Sequence, residues 1–359
     1  MKIQTYTVQH SLLPLSVPFR TALREVTAVD EIRVTITTDT GLVGMGSAAP
    51  TAAITGETLP SIIGALEQHI LPALYPLDLE DRHQVFNVLR RSIVGNTSAK
   101  AAVDIALHDL YAQSRNASLL TYLGGIASPL WTDATVSLDS VETMQHQAES
   151  LVAEGFKHLK IKLGGHDGHD VERVIAIRET IPGDIVLWLD PNQAWTVRES
   201  LAACEALAEW GVEFVEQPVA AQDLTGLRAI TVASPIPIAA DESVFGLEHL
   251  RHILDMGAAD IINVKLMKSG GLAVACTMAE LAASAGVALM VGSMMEGMAS
   301  VTAAAAFAMA YRAKYVDLDA GYFLRDAKVN GGLTYQGGQI TVPTGLGLGG
   351  CFTQEGASR

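Results

Sequence analysis

From Thr132 to Asp319 the chain alternates between two patterns. Short apolar runs rich in β-branched residues end in a polar or charged residue, and amphipathic stretches of helical period follow them. The clearest runs are Leu-Trp-Leu-Asp190, Phe-Val-Glu216, Ile-Ala-Ala-Asp241 and Ile-Asn-Val-Lys265. Their ends are 26, 25 and 24 residues apart (216 − 190, 241 − 216, 265 − 241). One strand, one helix and two loops occupy about that length. The same phase places strand ends near Ser137, Lys162, Asp190, Glu216, Asp241, Lys265, Gly292 and Asp317, with helical runs such as 171–180, 197–210 and 271–285 between them. Eight βα units at one period predict a closed parallel barrel rather than an open doubly wound sheet, with the charged ends together on the C-terminal rim. The last unit is the weakest, because loop-like sequence follows Asp317-Leu-Asp319.

Residues before this repeat read differently. Glu31–Thr37 alternates, Asp39-Thr-Gly41 is a turn signal, and Leu42–Gly46 returns, so antiparallel β-structure is expected over 1–50. Three helical patterns follow at about 57–73, 79–93 and 97–115, the last with Thr97 or Ser98 as its N-cap. A tail strand at Gly337–Pro343 is expected to return to the N-terminal part. The expected division is an α+β domain over 1–125, rejoined by 326–359, and a barrel over 126–325. The total of 359 residues fits, since a barrel alone needs about 250.

Composition narrows the partners. A net charge of −15 argues against nucleic acid. The three cysteines, Cys204, Cys276 and Cys351, have neither disulfide nor zinc spacing, and the N-terminus has no apolar signal core, so a cytoplasmic location is expected. The apolar stretch Leu281–Met309 is broken by Gly286, Gly292, Glu296 and Gly297. It reads as strand, rim loop and buried helix rather than a membrane span.

Asp190, Glu216 and Asp241 are in phase at neighbouring strand ends. Three carboxylates there suit a hard divalent cation with coordination left open for substrate, and Mg²⁺ is the expected ion. Lys160 and Lys162 share one face of the second barrel strand. Two adjacent ammoniums disfavour each other's charge, which would lower a pKa toward working pH. Lys265, on the sixth strand, lies roughly opposite the second across a ring of eight. Two amines on opposite sides of one carbon could remove a proton from one face and return it to the other. Lys268 competes with Lys265 but is expected in the loop beyond the strand. His166 and His169, in a glycine-rich loop, read as solvated. Asp317 and Asp319, at i and i+2, point together and could hold an ammonium group.

Lys160-Ile-Lys162, Asp190-Pro-Asn-Gln, Glu216-Gln-Pro, Ala-Asp241-Glu-Ser and Asn-Val-Lys265-Leu-Met-Lys-Ser-Gly-Gly together resemble the enolase superfamily, muconate-lactonising subgroup. The resemblance covers nearly the whole chain. It implies a modified (β/α)7β barrel with an N-terminal α+β capping domain, Mg²⁺ on Asp190, Glu216 and Asp241, Lys162 and Lys265 as the acid/base pair, and Lys160 in support. Within the subgroup, Asp317-Leu-Asp319 resembles the Asp-x-Asp of dipeptide epimerases, where it binds the free α-ammonium. Phe19-Arg20-Thr-Ala-Leu-Arg24 and Ile54-Thr-Gly56-Glu57 resemble alanyl-glutamate epimerases, with Arg24 matching the arginine that meets the glutamate side chain. Thr135 and Glu296, the latter in Gly292-Ser-Met-Met-Glu296, are carried over as further substrate-binding positions. Pro191 and Ala194 depart from the usual residues but touch no ligand position.

The expected activity is Mg²⁺-dependent epimerisation of the C-terminal residue of L-Ala-L-Glu or a related dipeptide, by a chain expected to form a homo-oligomer. On the same scaffold an N-acylamino acid racemase or o-succinylbenzoate synthase is the alternative, since the superfamily alone does not fix the reaction. A non-catalytic dipeptide- or metal-binding protein would need neither Lys162 nor Lys265. A metal-dependent sugar isomerase would not explain Lys160-Ile-Lys162.

Overall fold

In the computed structural model, which describes residues 1–165, 167–324, 329–350 and 353–354, the periodic segments form one eight-stranded parallel sheet. His166, Arg325 and Cys351 lie outside the described residues. The first 48 residues hold β1 (Ile3–Arg20), β2 (Glu25–Thr38) and β3 (Val43–Ala48), an antiparallel meander. After β4 (Leu130–Trp131) come the barrel strands β5 (Ala134–Val136), β6 (His158–Lys162), β7 (Val186–Asp190), β8 (Val212–Glu216), β9 (Ile238–Ala240), β10 (Ile261–Lys265), β11 (Ala288–Gly292) and β12 (Tyr315–Asp317). Six strands end on the residue expected from the period, and β5 and β9 end one residue before it. Helices connect the eight strands, and only the four-residue helix Ala320–Phe323 follows β12, so the barrel is (β/α)7β.

The ring is not closed by a full ladder. Among the described residues β5 and β12 meet through Asp133 N–H to Val316 O at 3.3 Å, helped by the Thr132 hydroxyl, which accepts from Leu318 N–H at 2.9 Å.

Alternation sorts the barrel interior. Trp188, Phe214, Ala239, Ile261, Met290 and Tyr315 form a separate apolar cluster inside the ring. Trp188 and Phe214 have ring centroids 5.0 Å apart, and Phe214 and Tyr315 are 4.9 Å apart. Two residues further along each strand the same face presents Asp190, Glu216, Asp241, Asn263, Gly292 and Asp317. The apolar layer is therefore the floor on which the polar mouth stands.

The capping domain is built around helix Thr97–Ser114, buried from Ser98 to Ala112. Strand β3 lies so close to it that a β-carbon on Gly46 would come 2.0 Å from Ala102 O. The expected N-cap is corrected: the cap residue is Asn96, in left-handed backbone with φ 50°, and it caps nothing with its side chain. The buried Glu57 carboxylate does so from a distance, accepting from Ser98 N–H at 2.9 Å and Ala99 N–H at 3.1 Å. The helix expected over 57–73 is broken: Leu59–Ala65 passes through a wide π turn, Leu66–Ile70, into Leu71–Leu74. Pro72, which can neither donate to the residue one turn back nor pack tightly against it, accounts for the wide turn.

The tail strand also differs from expectation. Gln339–Thr341 pairs with Thr334–Gln336 and with β4, the segment entering the barrel. Residues after it reach the capping domain, where Leu119 N–H donates to Gly347 O at 2.7 Å and Leu348 N–H to Asp109 at 2.9 Å.

Replacing Glu57 with Ala strands two buried helix N–H groups. Chemical denaturation should show a loss of about 1–3 kcal/mol. An unchanged midpoint would mean that the cap contributes nothing.

Candidate active site

The rim residues and the tip of the β1–β2 hairpin line one small cavity of about 50 Å³. The barrel contributes Lys162, Lys265, Asp241, Asp317 and Asp319 to its wall, and the capping domain contributes Phe19, Leu23, Arg24 and Ile54. The hairpin is pinned in place. Arg20 is paired with Asp139 at 2.6 Å and Glu25 at 2.8 Å, and its N–H donates to Ser137 Oγ at 3.2 Å. Arg20 thus faces the first βα loop, while Phe19 lies 5.8 Å from the Lys162 ammonium.

Behind one end of the cavity stand Asp190, Glu216 and Asp241, all buried, on adjacent strands; of the three, Asp241 reaches the cavity wall. Lys162 Nζ is 2.6 Å from Asp190, and Lys265 Nζ is 2.8 Å from Asp241. Asn263, two residues before Lys265, donates to Glu216 at 2.7 Å. Lys268 is not in a rim loop as expected: it is buried on the short helix Leu266–Ser269, against the Asp241 carboxylate and Asn263 O. Gly292 has a steric reason. A β-carbon there would lie 2.9 Å from Lys265 Cε and 2.8 Å from Asn263 Oδ1.

Lys160 is the hub. Its ammonium lies 2.7 Å from Asp317, 2.7 Å from Glu216 and 3.1 Å from Asp190, with 1% of its side chain exposed. Here the expected electrostatics are corrected. Burial would lower the Lys160 pKa, but Asp317, Glu216 and Asp190 outweigh it and hold it well above the ordinary lysine value. Lys265 is likewise raised: burial would lower it, but Asp241, Glu216 and Asp317 together outweigh that. The neighbouring ammonium is thus the weaker influence on Lys160. Burial pushes Glu216 up to about 7, whereas Asp190 is lowered because Lys162 and Lys160 overcome its burial.

At the other end Asp319 accepts from Thr135 N–H at 2.7 Å, beside Asp317. Burial and then Asp317 push Asp319 up to about 6. Thr135 is on the cavity wall, but Glu296 is not. Its carboxylate turns back to accept from Met294 N–H at 2.9 Å and is 1% exposed, so the structure makes it a brace of the loop after β11 rather than a cavity residue. The Arg24 guanidinium is on the wall and its pKa is lowered by burial alone. Exposed His169 pairs with Glu172 at 2.6 Å, consistent with a solvated residue.

Four polar residues were given no role in the sequence: Asp133, and Asn192, Glu242 and Asn263 within the quoted motifs. For Asn263 the signal was phase, two residues before Lys265 on the same strand face.

Two carboxylate groups could hold a cation. One oxygen from each of Asp133, Asp317 and Asp319 lies within 4.8 Å of the others. Asp190, Glu216 and Asp241 are the second set, and beside them Asn192 Oδ1 and Glu242 Oε2 are buried without a hydrogen-bond partner. An all-oxygen donor set with further oxygens left unsatisfied around it fits a hard, partly hydrated ion such as Mg²⁺. Lysines pair with both groups, Lys160 with Asp317, Asp190 and Glu216, Lys162 with Asp190, and Lys265 and Lys268 with Asp241, and the oxygens of Asp133, Asp317 and Asp319 are the more closely gathered.

A (β/α)7β barrel whose strand ends carry carboxylates between opposed lysines, roofed by an α+β domain, is the architecture of the enolase superfamily, and this chain belongs to it. Residues 2–124 match the mandelate racemase / muconate lactonizing enzyme N-terminal domain, and residues 143–355 match the enolase C-terminal domain-like family. The L-Ala-D/L-Glu epimerase of Clostridium acetobutylicum is 42% identical, over 97% of this chain and 98% of that protein. A substrate-liganded complex of the L-Ala-D/L-Glu epimerase from Bacillus subtilis superposes with a TM-score of 0.95 at 41% identity, covering 97% and 98% of the two chains. The dipeptide epimerase of Enterococcus faecalis, complexed with Mg and L-Leu-L-Tyr, gives 0.94 at 37% identity, covering 97% and 99%.

Titration calorimetry separates the two carboxylate groups. Asp190→Asn, Glu216→Gln and Asp241→Asn should each weaken Mg²⁺ binding more than about tenfold, while Asp133→Asn should leave it nearly unchanged. The reverse pattern would move the ion to the aspartate group.

Proposed function

We propose that the chain is a Mg²⁺-dependent dipeptide epimerase that inverts the α-carbon of the C-terminal residue, with L-Ala-L-Glu as its first substrate. The observation that carries this reading is the order of charges along one cavity. Carboxylates for an ammonium stand at one end, the opposed lysines and the second carboxylate set stand at the other, and a cation with no anionic partner roofs it.

Asp317 and Asp319 hold the substrate's amino end, and Thr135 N–H fixes Asp319 in position. Lys162 and Lys265 approach the α-carbon from opposite sides. One takes the α-proton as a neutral amine, and the other, as an ammonium, returns a proton to the opposite face. Lys160 stays protonated and holds the strands' carboxylates together. Mg²⁺, held by Asp190, Glu216 and Asp241, supplies positive charge beside the substrate carboxylate and so stabilises the charge left when the α-proton departs. Arg24 meets the acidic side chain. It is half-buried, its pKa is lowered by burial, and no carboxylate pairs with its guanidinium among the described residues, so an anion arriving there recovers a charge interaction. Phe19, Leu23 and Ile54 line the same cavity.

The same reading divides the chain into a capping domain over 1–125, rejoined by 326–359, and a barrel over 126–325. The match over residues 2–124 supports the first boundary and the bond from Leu348 to Asp109 supports the return of the tail, although the C-terminal match runs on to residue 355. It also includes a homo-oligomer, carried over from the family resemblance, in the cytoplasm, where the unpaired Cys204 and Cys276 suit a reducing compartment. Among the described residues no helix is long and apolar enough to cross a membrane.

Deuterium from D₂O should enter L-Ala-L-Glu at the glutamyl α-carbon in the presence of Mg²⁺, and mass spectrometry reads the gain. Lys265→Ala should abolish inversion, and Arg24→Ala should raise KM for the acidic dipeptide more than for L-Ala-L-Leu. Exchange confined to N-succinyl amino acids would replace the epimerase reading with the racemase one. The Asp319 carboxyl gives a pH signature. With a pKa near 6 it is ionised above that value, so KM for the dipeptide should rise as pH falls through about 6 and be flat from there to about pH 7.5, above which the substrate's own α-ammonium deprotonates. A KM that stays flat down to pH 5 would remove Asp319 from ammonium binding.

A further inference from the structure

Asp133 has no part in the scheme above, yet it is fully buried directly behind the two ammonium-binding carboxylates. It does not reach the cavity wall. Its surroundings are almost without donors. The Thr132 hydroxyl lies 3.2 Å from Oδ1, and that single proton can go to Val316 O at 3.3 Å instead. Oδ2 is buried with no hydrogen-bond partner. Its nearest charged neighbours across the seam are the carboxyls of Asp317 and Asp319.

An ionised carboxylate in that position would be poorly satisfied. An unpaired charge in a dry interior is among the most destabilising groups a fold can hold. Charge counting points the same way. Three ionised aspartates would carry −3 against the one ammonium of Lys160, which Asp190 and Glu216 also share. A dipeptide ammonium adds one more positive charge and still leaves the group negative. One proton on the cluster brings the total to zero with substrate bound. Placed on Oδ2, that proton satisfies the orphaned oxygen and donates toward an acceptor-only neighbour.

We propose that Asp133 is a positioning residue, held as the neutral acid behind Asp317 and Asp319, whose O–H donates to these carboxylates and fixes them for the substrate ammonium. This rests on the epimerase reading and deepens it. The groups facing Asp133 are Asp317 and Asp319 across the seam, Lys160 from β6, Thr132 on its own segment and the Tyr335 hydroxyl, which donates to Leu318 O at 2.6 Å. Burial, followed by the charges of Asp317 and Asp319, raises the Asp133 pKa well above the ordinary value, and only Lys160 and Thr132 oppose them. The geometry places the proton on Asp133, whose Oδ2 has no partner among the described residues, rather than on Asp319, which already accepts from Thr135 N–H. The arrangement is that of carboxyl groups too close to be ionised together.

The test uses the full chain with Mg²⁺ and carboxyl-¹³C aspartate. One carboxyl signal should stay at its protonated position from pH 6 to 8 and vanish in Asp133→Asn. Asn is neutral and still donates, so Asp133→Asn should keep KM for L-Ala-L-Glu within about threefold of the parent, while Asp133→Ala should raise KM about tenfold with kcat little changed. A residue that merely fills space would instead move Tm and leave the KM-to-kcat split alone, which would overturn the proposal. So would an Asp133 signal that titrates below pH 5, or an Asp133→Asn variant as impaired in KM as Asp133→Ala. If Asp133→Asn fails to fold, Asp133→Ser assigns the signal and retains a donor. A working epimerase with an ionised Asp133 would sink this inference alone. A protonated Asp133 in a chain that turns over no dipeptide would sink the epimerase reading, and the positioning role with it.

Discussion

The Lys160 ammonium, enclosed by carboxylates from three different strands, is the contact on which the site depends. A buried cation is tolerable only when its partners are close, and here two lie at 2.7 Å. Those partners belong to different halves of the cavity. Glu216 and Asp190 stand in the set suited to a metal, and Asp317 stands in the pair suited to an ammonium. One side chain therefore fixes the distance between the two ends of any substrate that bridges them. Removing it would leave uncompensated negative charge on both sides at once.

Much of this was legible from the sequence, because two periods were superposed. The βα period gave the strand ends, and the period of two within each strand gave the face. Lys162, Asp190, Glu216 and Lys265 follow from both. Depth was not legible. Glu296 lies on the expected loop but turns inward to Met294. Asp133 lies just ahead of the first barrel strand, in a run too short to show alternation. The Lys160 pKa failed for a related reason. Its sequence neighbour Lys162 was visible, whereas the carboxylates that dominate it come from distant strands. The capping of helix Thr97–Ser114 by Glu57 is likewise a long-range contact that a local rule cannot supply.

The two domains divide the labour by rigidity. Strand ends in a packed ring can hold lysines and carboxylates to fractions of an ångström, which proton transfer requires. Gly292 shows how tightly this is done, since even one methyl group would crowd Lys265. The hairpin tip at 21–24 is held by fewer contacts, chiefly through Arg20, and it places Arg24 and Leu23 on the cavity wall, away from the strand ends that carry the lysines.

The incomplete join between β5 and β12 has a mechanical meaning. A ring with seven laddered joints and one clasp opens first at the clasp. Here the clasp is made of Thr132, Asp133, Thr135 and Asp319, the residues that surround the amino end of the cavity. On the proposed reading, an ammonium lodged between Asp317 and Asp319 would act as a pin through the clasp. Occupancy of the site and integrity of the hoop would then be one quantity viewed from two sides, with the barrel tightest when it is working.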